Sequence, residues 1–267
     1  MALDPVPPAE LTEDAFLAGK LRLRQFSRGH RSGHDAILLA AAVPARTGER
    51  VVEFGAGAGA AGLALARRVG DVSLTLVEID PVLVDLAQAN AAANGITART
   101  IVLDVGARAA EFADAGLPPD HADHVMMNPP FHAADRHRGS PDEGKRSAHL
   151  DAGETCEVWI KAARRILAPG GCLTLIWRAD ELSRVLDALG RGFGGIELVP
   201  VHPKPDAAAI RVLVRAIKAS RAPMRLLPGL ILNDWEGRPT AEADHVLQGG
   251  ALGSAPCGET ARNAPEK

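Results

Sequence analysis

Glu53-Phe54-Gly55-Ala56-Gly57-Ala58-Gly59 joins an apolar strand pattern, Glu49–Phe54, to a helical stretch that runs through Arg68. Glycine tolerates positive φ and lets the backbone approach a ligand closely. Gly57, Gly59 and Gly62 also form a Gly-x-Gly-x-x-Gly pattern, and Glu78 follows at about the twenty-residue spacing of a carboxylate that grips ribose hydroxyls. That pattern alone admits two cofactor classes. A nicotinamide dinucleotide carries a pyrophosphate, which is bound by bare N–H groups with no carboxylate beside them. S-adenosylmethionine has no phosphate but carries an ammonium and a sulfonium. Glu53 repels the first and attracts the second, so S-adenosylmethionine is the expected cofactor. Its expected contacts are Glu53, Gly55, Gly57, Gly59, Glu78 and Asp104. Asp104 ends a strand, where its carboxylate can accept from an adenine amine, because open α/β sheets bind ligands at the carboxyl ends of their strands.

Outward from this turn the chain alternates strands and helices. Strands are predicted at Val72–Glu78, Thr97–Leu103, His124–Met127, Cys172–Trp177, Ile196–Val201 and Ile210–Ile217. Helices are predicted from Pro81 to Asn94-Gly95, over Glu157–Leu167 and over Asp180–Leu189. Upstream, Phe16–Leu23 reads as a short hairpin turning at Ala18-Gly19, and Asp35–Val43 as an apolar helix ended by Pro44. Such alternation implies right-handed crossovers and a largely parallel sheet with helices on both faces. The stretch from Pro129 to about Thr155 reads as a long loop and the tail from Gly249 as disordered. Residues 1–45 are expected to form an N-terminal extension, 46–220 the cofactor-binding domain and 221–267 a C-terminal extension.

Asn128-Pro129-Pro130-Phe131 follows the fourth strand directly. As turn chemistry, Asn-Pro is unremarkable; beside a cofactor crevice it has a function. The Asn128 side-chain carbonyl and the Pro129 backbone carbonyl are two acceptors, able to hold both hydrogens of a planar NH₂ group. The two prolines stiffen the turn, so the acceptors are preorganised. Phe131 can lie flat on a planar substrate, with Pro130 beside it. Asn128, Pro129 and Phe131 are the expected catalytic residues, and Asn128 is also expected to border the cofactor.

The tetrapeptide resembles the hallmark of class I methyltransferases that modify exocyclic or amide nitrogens. The chain is most similar to the bacterial tRNA(Val)-type adenine-N6 methyltransferases. Ser32-Gly33-His34-Asp35-Ala36-Ile37-Leu38-Leu39 ahead of the turn carries that resemblance, as do the turn itself, NPPF with its long following loop, Leu198-Val199-Pro200-Val201-His202 and the VLVRAIK strand. The resemblance implies a Rossmann-like methyltransferase fold, with a seven-stranded, mostly parallel sheet and one antiparallel strand. It implies S-adenosylmethionine as methyl donor and adenine-N6 in tRNA as acceptor. His132 after NPPF resembles guanine-N2 methyltransferases of ribosomal RNA. Release-factor glutamine methyltransferases share the tetrapeptide but carry a helical domain ahead of the cofactor turn.

Charge and composition set the remaining bounds. The 267 residues are 46 % hydrophobic and 24 % charged with a net charge of −3, an ordinary globular balance. The acidic, Pro-rich start is unlike a signal peptide, so the expected location is the cytoplasm. Only 3 % of residues are aromatic, which argues against a broad stacking platform for single strands. Two acid-free basic segments stand out: Lys20, Arg22, Arg24, Arg28 and Arg31, and then Arg211, Arg215, Lys218, Arg221 and Arg225. Each could present a local phosphate-binding face, and Arg22, Arg24 and Arg28 are the expected RNA contacts. Arg136, His137, Arg138, Lys145, Arg146 and His149 in the long loop could add to them. Neither the histidines nor the three dispersed cysteines show metal-ligand spacing, so no metal is expected.

Overall fold

A computed structural model of the chain describes residues 10–28, 31–130 and 144–253, and the side chains of all of these save 144–154. A hairpin, β1 (Leu11–Phe16) and β2 (Leu21–Phe26), precedes α1 (His34–Ala42). Then follow β3 (Arg50–Phe54), α2 (Ala60–Val69), β4 (Ser73–Glu78), α3 (Pro81–Ala93), β5 (Ala98–Val102), α4 (Ala109–Asp114) and β6 (Ala122–Met127). The second half holds α5 (Gly144–Ile166), β7 (Leu167–Arg178), α6 (Leu182–Leu189), β8 (Phe193–His202), β9 (Arg211–Lys218), β10 (Arg225–Leu226), β11 (Leu230–Ile231) and α7 (Ala241–Leu247).

The main sheet runs β10-β8-β9-β7-β6-β3-β4-β5, with β11 also paired to β8. β3, β4, β5, β6 and β7 are mutually parallel, and β9 is antiparallel to both β7 and β8. The seven long strands thus have the expected architecture, with β9 as the inverted strand; the two-residue β10 and β11 extend it beyond β8.

Alternation along the strands explains the two apolar faces. Val51, Leu76, Met126 and Leu213 point into one core with α1 and α2, while Val52, Val77, Val125 and Val212 point into the other with α5. Side chains of period two, apolar on both sides, are what a sheet covered on both faces requires. Helix α1 has seven consecutive buried residues, Ala36–Ala42, so beyond its exposed first residue, His34, and half-buried Asp35 no side of it faces water. The half-buried guanidinium of Arg68 caps its end, donating to the carbonyls of Ala40 and Val43 at 3.0 and 2.6 Å. Pro81 opens α3, and Asp80 caps it by accepting from the Val82 N–H at 2.8 Å. Leu17, Leu21 and Leu23 of the hairpin join Ala243, Val246 and Leu252 near the other end of the chain in the α1–α2 core.

Several expectations need correction. The hairpin spans 11–26 rather than 16–23, because a solvent-facing, charged β1 gives little apolar signal. Its turn carries left-handed backbone at Leu17 and Ala18, both with φ of 54°. Helix α5 begins at Gly144, inside the stretch read as a loop, and α4, β10, β11 and α7 have no counterpart among the predicted elements. Gly249–Gly253 is not a loose tail: Leu252 is buried and its N–H donates to the Ala41 carbonyl at 2.9 Å. The remainder of that tail lies outside the described residues.

Candidate active site

Parallel β3, β4, β5 and β6 bring their carboxyl ends side by side, and with them the residues singled out by sequence. Gly55, Gly57 and Gly59 all adopt left-handed backbone, φ 65°, 54° and 88°. The turn is pinned to β4: the Ala56 N–H donates to the Val77 carbonyl at 3.0 Å, and the Gly57 N–H donates to Glu78 Oε2 at 2.9 Å. Glu78 Oε1 accepts from the N–H groups of Ile79 and Asp80 at 2.8 and 3.2 Å. Three backbone donors therefore fix the carboxylate expected to meet ribose hydroxyls.

Glu53 is 4 % exposed, and its Oε2 accepts from the Gly62 N–H, in the first turn of α2, at 2.8 Å. Burial pushes its carboxyl up to about 8; the Gly62 hydrogen bond opposes the rise and the charge of Glu78 adds to it. A Cβ on Gly62 would stand 2.5 Å from Glu53 Oε2 and 2.6 Å from Leu76 Cδ2. Only glycine lets the carboxylate reach this helix start.

Glu53 and Asn128 share a cleft of about 390 Å³, walled by Gly55–Gly57, Arg31–Ala36 and Arg211. Arg211 Nε donates to Asp35 Oδ2 at 2.9 Å, so its charge is compensated at the cleft wall. Asn128 Oδ1 is buried and has no hydrogen-bond partner among the described residues. A buried acceptor without a partner is costly in the free protein and is satisfied by a donor brought by a ligand. The donor set thus fits S-adenosylmethionine: a buried carboxylate for an ammonium, a bare glycine turn for close backbone approach, and an acceptor aimed at a further group. Pro129 is buried and Pro130 exposed, while Phe131 lies outside the described residues. Of the long-loop residues, Arg136, His137 and Arg138 lie outside them too, as do the side chains of Lys145, Arg146 and His149.

Asp104, at the end of β5, is exposed; its Oδ1 accepts from the Gly106 N–H at 2.8 Å and braces its own turn. Trp159 of α5 had no signal in the sequence beyond the scarcity of aromatic residues. Its indole lies against the turn, so that a Cβ on Gly55 would meet it at 2.4 Å. Arg31, Ser32, His34, Asp35 and Arg211 also border the cleft, although the sequence does not single them out as site residues. Ser32–Asp35 was visible as part of the motif ahead of the turn, and Arg211 only as one member of a basic run.

The two basic segments have different fates. Arg22 and Arg24 point outward from β2 and Arg28 is exposed after it. Arg22 Nη1 meets Glu13 Oε1 at 2.9 Å in an exposed pair. The backbone N–H and C=O of Arg22 and Arg24 are bonded by the side chains of Asn94 and Asn90, one helical turn apart on α3. The Asn90 amide also donates to the Ala58 carbonyl of the glycine turn at 2.9 Å. The second segment is largely paired with acids inside the fold. Arg215 is 2 % exposed and lies 3.3 Å from Glu197, which also pairs with Arg225. Lys218 pairs with Asp120 at 2.8 Å and Arg211 with Asp35. These cations face acids contributed by other parts of the fold, which a count along the sequence cannot register.

Residues 26–204 match the family model of the methyltransferase small domain. The tRNA1(Val) (adenine(37)-N6)-methyltransferase of Porphyromonas gingivalis is 30 % identical over 177 residues, covering 63 % of this chain and 67 % of the relative. Ribosomal RNA small subunit methyltransferase C of Pseudomonas aeruginosa is 33 % identical over 151 residues, covering 57 % of this chain but 38 % of that relative. Among solved structures, one described as a predicted O-methyltransferase from Agrobacterium tumefaciens shares 34 % identity at a TM-score of 0.68, covering 82 % of this chain and 97 % of that one. No described helix is long and apolar enough to cross a membrane, and the described residues hold no group of three or more His, Cys, Asp or Glu side chains that could hold a metal ion. The chain belongs to the methyltransferase small domain family and is an S-adenosylmethionine-dependent methyltransferase.

Proposed function

We propose that the protein methylates the exocyclic amine of a base in RNA, with adenine-N6 of a tRNA as the first acceptor. The observation that carries this reading is the buried Oδ1 of Asn128, without a hydrogen-bond partner among the described residues, in the cleft shared with Glu53. The Porphyromonas relative, by its name, acts on a tRNA adenine and the Pseudomonas relative on ribosomal RNA.

Glu53, with the backbone of Gly55, Gly57 and Gly59, would hold the amino-acid end of the cofactor. Glu78 would take its ribose and Asp104 its adenine. When bound, S-adenosylmethionine supplies an electrophilic methyl group. Asn128 Oδ1 and the Pro129 carbonyl accept the two hydrogens of the target amine and so present its lone pair, while Pro130 and Phe131 flank the base. A neutral aromatic amine is a weak nucleophile, so orientation and exclusion of water supply the rate rather than a strong base. Exposed Arg22, Arg24 and Arg28 would meet backbone phosphates, and the N-terminal extension, 1–45, would then serve the substrate side of the 46–220 domain. Residues 221–267 would be a C-terminal extension, of which α7 packs against α1. Such a substrate is cytoplasmic, and so is the proposed location of the enzyme.

Methyl-labelled cofactor incubated with separate tRNA, ribosomal RNA and protein fractions, followed by nucleoside digestion, tests this directly. N6-methyladenosine from the tRNA fraction is expected. N2-methylguanosine from ribosomal RNA would move the acceptor to guanine. Label confined to protein, as N5-methylglutamine, or to hydroxyl groups would overturn the reading.

A further inference from the structure

The cleft holding Asn128 does not end at the segment Arg31–His34. On the other side of that segment lies a second hollow of about 360 Å³, enclosed by the hairpin turn (Asp14–Ala18), by Ile37 of α1 and by Leu247 of α7. The two hollows share Arg31, Ser32, Gly33 and His34 as a common wall. Whatever fills the second therefore lies one residue-thickness from whatever fills the first.

The geometry points to the second hollow as the site for the nucleotide adjoining the methylated one, its base held between Phe16, His34 and Arg31. This inference rests on RNA being the acceptor. Three residues with planar side chains line the hollow: Phe16, half-buried and packed on one side against the core, His34 and Arg31. Bases splayed out of an RNA strand are recognised by stacking on such planes. Arg31 is fixed for that role, because its Nη2 lies 2.5 Å from Asp14 Oδ2. The rim is strained as well: Leu17 and Ala18 are consecutive non-glycine residues in left-handed backbone, and strain of that kind clusters at ligand sites. Cations for the departing strand stand at the edge. Arg22 lies directly across the hairpin from Ala15, which lines the hollow. Its bond to Glu13 is an exposed pair that a phosphate can replace without loss of a buried contact.

The test uses the RNA that accepts label in the fractionation experiment, shortened to a stem–loop. It is compared with copies made abasic immediately 5′ or immediately 3′ of the methylated nucleotide. Binding and single-turnover methylation are measured for the wild type, for Leu247→Trp, which fills the hollow from the α7 wall, and for Phe16→Leu, which removes the ring but keeps apolar bulk. One abasic flank should weaken wild-type binding by about tenfold. Both variants should bind intact RNA about tenfold more weakly but lose nothing further on the abasic copy, with cofactor affinity unchanged; because both residues pack against the core, binding is measured well below each variant's own melting temperature. Indifference of the wild type to both abasic flanks overturns the inference, and so does an undiminished abasic penalty in the variants. If Leu247→Trp instead changes the sedimentation of the protein and leaves RNA binding intact, the hollow is a contact between copies and not a nucleotide site. RNA that is methylated but insensitive at its flanks sinks this inference alone, whereas absence of any RNA methylation removes the functional reading with it.

Discussion

Asn128 separates two accounts of the same tetrapeptide. If the motif served only to turn the chain, truncating Asn128 would lower stability and take cofactor binding with it. Because Oδ1 has no partner among the described residues, its removal deletes an unsatisfied acceptor rather than one of their bonds. Asn128→Ala should therefore melt within about 1 kcal/mol of wild type and bind cofactor within about 1 kcal/mol, as expected of a site with few shared contacts. Methyl transfer should fall by about 10²-fold or more, because an unheld amine loses orientation and charge stabilisation together. Asn128→Asp keeps an acceptor and should fall less. Single-turnover rates set beside melting curves decide the matter; near-normal turnover by Asn128→Ala would end the case for an NH₂ acceptor. Asn128, Glu53 and the glycines could be recognised from sequence because their chemistry is local. Trp159 could not, because the fold brings it from α5, while His34 and Arg211 were visible only as members of a motif and of a basic run until α1 and β9 carry them to the cleft.

The junction of β3 with α2 shows how one missing methyl group can organise an element. Gly62 would gain helix propensity as alanine, by up to about 1 kcal/mol. The added Cβ, however, meets Glu53 Oε2 at 2.5 Å and Leu76 Cδ2 at 2.6 Å, and overpacking a tight core costs about 1–3 kcal/mol. The clash outweighs the gain in propensity, so Gly62→Ala should be less stable in urea titrations and should bind cofactor more weakly as Glu53 is displaced. A variant as stable as wild type, with cofactor affinity intact, would mean that the carboxylate does not need that helix start. Elements of this kind were legible wherever glycine, proline or an apolar run marked an end. The short ones were not: α4 contributes a single buried aromatic, Phe112, and β10 and β11 exist because β8 offers them an edge. The basic run at 211–225 misleads for the same reason, since Glu197 and Asp120, which neutralise it, come from elsewhere in the chain.

At the scale of the molecule, two buried groups set opposite limits on pH. Glu53 has its carboxyl raised from 4.5 to about 8, so the native state holds a proton that the unfolded chain has already lost. That contribution to stability is complete below about 4.5 and is lost as pH rises through 8, on the order of 5 kcal/mol in all. His124 is lowered from 6.5, chiefly by burial, with its bond to Glu49 opposing the shift; its contribution is present above 6.5 and is lost as pH falls below it. The melting temperature should therefore decline between pH 6.5 and 8 in the wild type, and Glu53→Gln should flatten that decline. Saturating S-adenosylhomocysteine should flatten it too, because its ammonium pairs with the ionised carboxylate and lets Glu53 release its proton. A decline that survives in Glu53→Gln would assign it to another group. The overall architecture was the most legible feature of all, since doubly apolar strands alternating with helices allow few arrangements, and β9 alone had to be inverted to complete it.

The bond between the hairpin and α3 has a consequence for how copies of this protein meet one another. A strand such as β2, paired on one side only, ordinarily offers its free N–H and C=O groups to any passing strand, and that is the route to fibrils and edge-to-edge aggregates. Here Asn90 and Asn94 occupy the outward groups of Arg24 and Arg22, with two side-chain amides standing in for a neighbouring strand. A helix thereby closes a sheet edge, and the hairpin keeps its cationic side chains in water while its backbone along Arg22 and Arg24 has nothing left to template.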